Sequence, residues 1–164
     1  MIYFIADTHF SEESIIRYEN RPFRNIMEMD KKLITRWNKV VSEEDFVYVL
    51  GDFGATNQED SVLKQLKGTK LLVKGNHDTN SNYYYRKVGF QEVYDYPIII
   101  KNFWILSHEP LYVNENMPYA NIFGHVHNSP IIKTFSKQHY CVSVERINYA
   151  SISFDEIIFK IQGK

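Results

Sequence analysis

The chain has 164 residues, 44% of them hydrophobic and 15% aromatic, so it is long enough to bury one substantial core. It carries 19 basic and 20 acidic residues, and the resulting net charge of −1 excludes a global field that would recruit nucleic acid or an anionic membrane. The single cysteine, Cys141, excludes an intrachain disulfide framework and a thiolate metal site.

The first half of the chain alternates strand patterns with helix patterns. Three short apolar runs predict buried strands, at residues 2–6, 46–50 and 71–73. Three segments predict helices from their spacing of apolar residues, at 26–41, 60–67 and 82–88. Asn25 is a suitable N-cap for the first helix, and Gly68 and Gly89 follow the other two. Such alternation favours a largely parallel sheet.

The second half of the chain has strand patterns throughout. The predicted strands lie at residues 97–100, 103–106, 121–123, 131–135, 140–144 and 152–161. Between the first two, Lys101-Asn102 predicts a two-residue hairpin turn because Asn tolerates positive φ. We therefore expect a mainly antiparallel second half, and an α/β fold with two stacked sheets and helices outside them.

No repeat, low-complexity stretch or linker divides the sequence, which predicts a single domain over residues 1–164. The N-terminal apolar run ends at Asp7, too early for a signal peptide, and no stretch reaches the length of a membrane span. These features predict a cytoplasmic protein without a membrane partner. The sequence leaves the oligomeric state open.

Polar residues that can bind metal directly follow several of the predicted strands. They form five blocks: Asp7-Thr8-His9, Gly51-Asp52, Gly75-Asn76-His77-Asp78, Ser107-His108 and Gly124-His125-Val126-His127. Functional residues of open α/β sheets collect at the carboxyl ends of the strands, so the blocks predict one shared site at a sheet edge. A glycine immediately precedes a candidate ligand in three blocks, where the lack of a Cβ allows a sharp turn.

The residue types in these blocks suit a pair of metal ions. Side chains two apart on an extended backbone point the same way, so Asp7 and His9 can share an ion, as can His125 and His127. The mixture of oxygen and nitrogen donors suits Mn²⁺, Fe, Zn²⁺, Co²⁺ or Ni²⁺ better than Ca²⁺ or Mg²⁺. Seven candidate ligands are too many for one tetrahedral ion and suit two ions about 3.5–4 Å apart, bridged by Asp52.

The five blocks, in this order, resemble the calcineurin-like metallophosphoesterase family. The resemblance implies a four-layer α/β/β/α sandwich of two mixed sheets flanked by helices. It implies one metal held by Asp7, His9, Asp52 and His127, and a second held by Asp52, Asn76, His108 and His125. It also implies that His77 acts on the leaving group and that Asp78 orients His77.

The predicted function is a two-metal phosphoric ester hydrolase with a metal-activated hydroxide as nucleophile and His77 assisting the leaving group. Two divalent transition-metal ions are expected, with manganese favoured. The short segments between His77, His108 and His125 leave no room for a large lid, so we expect an open, shallow site that admits small phosphodiesters, cyclic nucleotides, phosphomonoesters or a phosphorylated protein. A phosphodiester is favoured because His77 suits a poor alkoxide leaving group. A phosphomonoesterase or protein phosphatase remains an alternative.

Two other functions and one further feature are left open by the sequence. A non-catalytic interaction scaffold on the same fold would usually have lost a ligand or the leaving-group histidine, and a DNA-repair nuclease is disfavoured by the lack of net basic charge. Arg21 and Arg17 follow the first block, where either could hold a phosphate through bidentate hydrogen bonds. The alternative for each is a solvated or salt-bridged arginine.

Overall fold

The computed structural model describes residues 1–55, 57–129 and 136–163. The strands are β1 (Ile2–Ile5), β2 (Phe46–Val49), β3 (Thr69–Val73), β4 (Glu92–Tyr94), β5 (Ile98–Ile100), β6 (Trp104–Leu106), β7 (Ala120–Phe123), β8 (His139–Cys141) and β9 (Ile152–Ser153). The helices are α1 (Glu13–Tyr18), α2 (Ile26–Val40), α3 (Glu59–Leu63), α4 (Asn82–Val88) and α5 (Phe154–Gln162), and a 3₁₀ helix spans Val144–Arg146.

The first sheet has the strand order β4-β3-β2-β1-β9. Strands β1 to β4 are parallel to one another and β9 pairs antiparallel with β1, so the parallel sheet predicted for the first half is confirmed. Side chains of β1 alternate between the two faces of the sheet. Tyr3 and Ile5 pack in a core with the helices, whereas Phe4 and Ala6 pack in a core with the second sheet.

Helix α2 forms where its apolar spacing and its cap predict it. The Asn25 side chain accepts a hydrogen bond from the Glu28 N–H at 2.9 Å, which confirms the predicted N-cap. Met29, Leu33 and Trp37 recur every four residues and are buried against the first sheet. Burial of each such side chain contributes about 1.5–3 kcal/mol, which fixes the helix on the sheet.

The second sheet has the strand order β5-β6-β7-β8 and does not have the expected antiparallel pattern. Strands β5 and β6 are antiparallel across the predicted turn, where Lys101 and Asn102 both have positive φ. Strands β6, β7 and β8 are parallel. The expectation of a mainly antiparallel second half was wrong because segments 107–119 and 124–138 are long enough for crossovers, which parallel strands require.

The predicted strand over residues 152–161 is also wrong, since β9 ends at Ser153 and α5 follows it. The Ser153 side chain accepts a hydrogen bond from the Glu156 N–H, and Glu156 bonds back to the cap residue, which makes a capping box. Phe154 and Ile157 are buried one helical turn apart, so the apolar residues of the isoleucine-rich segment form the buried face of a helix.

Smaller differences concern the ends of elements. Helix α3 ends at Leu63 rather than at residue 67, and β8 gives way to the 3₁₀ helix within the strand predicted at 140–144. The strand predicted at 131–135 lies outside the described residues. Within the described ranges no helix is long and apolar enough to cross a membrane. The predicted α/β arrangement of two mixed sheets flanked by helices is confirmed.

Candidate metal centre

The five polar blocks come together in space. They follow β1, β2, β3, β6 and β7, whose carboxyl ends meet on one side of the two sheets. Contacts across the sheets hold them there: the His125 N–H donates to the Asp7 carboxylate at 2.9 Å, and the His108 Nδ1 donates to the Leu50 carbonyl at 2.9 Å. The shared site predicted from the strand ends is therefore present as a cluster of side chains.

The pairing of ligands two residues apart assumed an extended backbone. The backbone at this cluster is not extended. Five of the predicted ligands have positive φ between 45° and 68°, namely Asp7, His9, Asp52, His125 and His127. A left-handed conformation costs an ordinary residue roughly 1–2 kcal/mol, although Asp and His tolerate it better than most. Such conformations collect at functional sites, where the surrounding structure holds them.

One group of donor atoms is formed by Asp7, His9 and His127, whose potential ligand atoms all lie within 4.8 Å of one another. The His9 Nε2 lies 3.7 Å from the Asp52 Oδ2. It is buried and has no hydrogen-bond partner among the described residues. A buried polar atom left unpaired costs about 1–3 kcal/mol, so this nitrogen fits a role as a metal ligand.

A second group is formed by Asp52, His108 and His125, again within 4.8 Å of one another. The Asn76 Oδ1 lies 3.0 Å from the His108 Nε2 and 3.1 Å from the His125 Nδ1. Because His108 donates its Nδ1 proton to a carbonyl, its neutral form would direct an Nε2 lone pair toward the oxygens of Asp52 and Asn76. Acceptors that face one another in this way need either a proton or a metal cation between them.

Carboxylates outside the predicted ligand set orient two of the histidines. The His9 Nδ1 donates to the Glu12 Oε2 at 2.9 Å, and the His127 Nδ1 donates to the Glu145 Oε1 at 3.1 Å. Each bond leaves the Nε2 free to face the centre, which is the usual arrangement of metal-binding histidines. Sequence reasoning missed both residues. Glu12 lies three positions after His9, which is a weak local signal, whereas Glu145 comes from the distant 3₁₀ helix.

Two glycines allow the loops to approach closely. A Cβ built on Gly75 would lie 2.2 Å from the Asp52 Oδ1, and one built on Gly51 would lie 2.2 Å from the His108 Nδ1. Gly51 also has a φ of +86°, so it makes the expected turn, whereas Gly75 serves close packing.

His77 and Asp78 are adjacent in sequence but occupy different environments. His77 is exposed at the edge of the cluster, with its ring centroid 5.2 Å from that of His9. Asp78 is buried, and its two oxygens accept hydrogen bonds from the N–H groups of Asp52, Gly75 and Phe53 at 2.7, 2.8 and 3.2 Å. The resemblance implied that Asp78 orients His77. The Asp78 carboxylate instead connects the second block to the third through these hydrogen bonds.

The sequence profile of calcineurin-like phosphoesterases matches residues 1–156. The chain belongs to the calcineurin-like phosphoesterase family. It is 35% identical to an uncharacterised protein of Methanocaldococcus jannaschii, over 98% of this chain and 91% of that protein. It is also 27% identical to the gene 66 protein of Mycobacterium phage L5, over 46% of this chain and 39% of the phage protein.

Two solved structures share the fold of this chain. A protein of unknown function from Aquifex aeolicus superposes with a TM-score of 0.74 and 31% identity, over 96% of this chain and 97% of that one. A nuclease from Pseudomonas putida superposes with a TM-score of 0.54 and 20% identity, over 77% of this chain and 61% of that one, which shows a common fold. Family membership supports a metal-dependent phosphoesterase, and the two donor groups are candidate metal sites.

The two arginines near the first block of this calcineurin-like phosphoesterase lie in different environments. The Arg21 side chain is 0% exposed and donates to the Glu145 Oε1 at 2.7 and 2.9 Å. It also donates to the carbonyls of Asp7 and Thr8 at 2.6 and 2.9 Å. Arg21 therefore forms a salt bridge, the alternative considered for it, and does not have the phosphate-binding role. Arg17 is exposed in a surface cleft that no predicted ligand lines.

The electrostatics of the phosphoesterase site favour a cation. Burial raises the pKa of Asp7, against the opposing effect of the nearby histidines. For His108 burial favours the neutral form, but the hydrogen bond and charge of Asp52 prevail and raise the pKa of His108 to about 9. A metal ion at this group would therefore compete with a proton for the His108 Nε2.

Proposed function

We propose that this phosphoesterase hydrolyses a small phosphodiester with the help of two divalent transition-metal ions, manganese being favoured. The observation that carries the proposal is the pair of converging donor groups around Asp52. Asp7, His9, Asp52 and His127 would hold one ion, and Asp52, Asn76, His108 and His125 would hold the other. The unpaired His9 Nε2 and the facing acceptors around His108 fit this assignment.

When bound, the ions would supply positive charge that neutralises phosphoryl oxygens and lowers the pKa of water toward about 7. His77 is exposed beside the cluster, where its imidazole can reach a departing ester oxygen, and its backbone N–H is held by the Asp52 Oδ1 at 2.9 Å. As a general acid His77 would contribute about 10²–10⁴ in rate. Such help matters most for a poor alkoxide leaving group, which favours diesters.

The test compares the manganese-loaded protein with an Asp52→Asn variant. We expect elemental analysis to find two ions per wild-type chain and fewer in the variant, because the substitution removes the charge that both ions share. Bis(4-nitrophenyl) phosphate should be hydrolysed faster than 4-nitrophenyl phosphate, and the variant should show background rates for both.

Three results would change the proposal. A maximum of one ion per chain would refute the two-metal site. A preference for the monoester would point to the phosphomonoesterase alternative. A fully loaded wild type that hydrolyses neither ester above the Asp52→Asn background would favour the interaction scaffold.

A further inference from the structure

A cleft of about 230 Å³ lies beside the second donor group. His108 belongs to that group, the Asn76 Oδ1 lies 3.0 Å from its Nε2, and both residues form part of the wall of the cleft. An ester whose phosphate lies at the donor groups would therefore have this cleft as an adjoining space for one of its organic substituents. Its volume is below the roughly 300–1,000 Å³ of pockets that enclose drug-sized ligands, so it suits one compact group rather than a polymer.

The charges along the cleft disfavour a second anionic group. Lys74 is only 16% exposed, and its ammonium group is paired with the Asp95 carboxylate at 3.1 Å. Glu109 is an exposed carboxylate on the same wall. Away from the donor groups, the cleft is lined by one cation and two carboxylates, with a net formal charge of −1. This part of the cleft repels a second phosphate and attracts hydrogen-bond donors such as hydroxyl and amino groups.

An aromatic platform stands at the edge of the cleft. Tyr96 is 80% exposed and lies in the connection between β4 and β5. Pro97 follows it and restricts the Tyr96 backbone to extended conformations, which limits the positions of the ring before a ligand arrives. Leu111 adds an apolar contact. An exposed ring beside hydrogen-bond acceptors matches a ligand that has both an aromatic face and polar donors.

We infer that this cleft binds an uncharged nucleoside group of the phosphodiester, with the base stacked on Tyr96 and sugar hydroxyl or base amino groups donating to Glu109. The inference rests on the proposed phosphodiesterase function and names its substrate class. It predicts that affinity for the nucleoside part comes from the cleft, whereas the phosphate is held at the donor groups.

The experiment uses two diesters with the same leaving group and charge, thymidine 5′-(4-nitrophenyl) phosphate and methyl 4-nitrophenyl phosphate, with the manganese-loaded protein. We expect the wild-type KM to be about tenfold lower for the nucleoside ester. Tyr96→Ala should remove this preference, a change of about tenfold or about 1.4 kcal/mol, whereas Tyr96→Phe should retain it. Tyr83→Ala removes a tyrosine that is 76% exposed on α4 and should leave the preference unchanged.

Two results would overturn the inference: equal KM values for the two esters in the wild type, or a Tyr96→Ala variant with the wild-type preference. A nucleoside ester that carries an additional phosphate should have a higher KM, and a lower one would contradict the charge argument. If the wild type hydrolyses neither ester, the proposed function fails. Binding of thymidine then tests separately whether the cleft accepts a nucleoside. In protein loaded with diamagnetic Zn²⁺ instead of Mn²⁺, thymidine should shift the backbone amide NMR signals of Lys74, Tyr96 and Glu109, and the inference fails if it shifts none of them.

Discussion

Replacing Glu145 by glutamine would test whether an outer carboxylate holds the first donor group in place. The substitution keeps the size of the side chain and removes its negative charge. The Glu145 Oε1 accepts from Arg21 at 2.7 and 2.9 Å and from the His127 Nδ1 at 3.1 Å. The Arg21 side chain is completely buried, so the variant would remove the carboxylate that pairs with this cation and leave its hydrogen bonds to the carbonyls of Asp7 and Thr8 and to the Met29 sulfur.

The expected loss of stability follows from this burial. Removing one partner of a buried ion pair costs about 3–5 kcal/mol, and we expect about 3 kcal/mol because the glutamine oxygen can still accept hydrogen bonds. At roughly 2–4 °C per kcal/mol for a protein of this size, the Tm should fall by about 6–12 °C. Loss of the carboxylate behind His127 should also weaken metal binding at the first group by about 10–100-fold.

Thermal unfolding of the metal-free protein measures the first effect, and calorimetric titration with Mn²⁺ measures the second. The matched control is Glu115→Gln, which changes an exposed carboxylate and should leave both quantities unchanged. An unaltered Tm together with a wild-type titration would refute the role of Glu145. An equal loss of affinity for both ions would show that Glu145 supports the whole cluster rather than its first group.

Three further predictions concern other parts of the molecule. His77→Ala should retain its metal content and lose about 10²–10⁴ in kcat on an alkyl diester but much less on an aryl diester; equal losses would contradict a general-acid role. Gly75→Ala places a Cβ against Asp52, so elemental analysis should find that both ions are lost, and retention of two ions would be the opposite outcome. Hydrogen bonds from the N-terminal ammonium and Ser42 lower the pKa of Asp45 to about 2, so its stabilising effect is complete above the ordinary value of 3.8 and is lost as the pH falls through about 2. Asp45→Asn should therefore lower the Tm at pH 7, and the difference from wild type should shrink toward pH 2.

Much of the fold could be predicted because its signals are local. The Asn25 cap and the four-residue spacing of Met29, Leu33 and Trp37 define α2 without knowledge of its surroundings. The misassigned α5 also had a local signal, the capping box at Ser153, which the run of isoleucines outweighed. The parallel pairing of β6, β7 and β8 had no such signal, because strand direction depends on where the intervening chain travels.

The sequence by itself determined which residues can take part in the site. Carboxylate, amide and imidazole groups directly after apolar strands identify potential ligands from residue type and position alone. Only the tertiary structure decided the partners of these groups. Arg21 and Glu145 are 124 positions apart, and Asp78 meets the N–H of Asp52 across 26 positions. The chemistry of a side chain is set by its type, whereas its burial and its hydrogen bonds depend on which distant segments pack against it, and no local pattern records that packing.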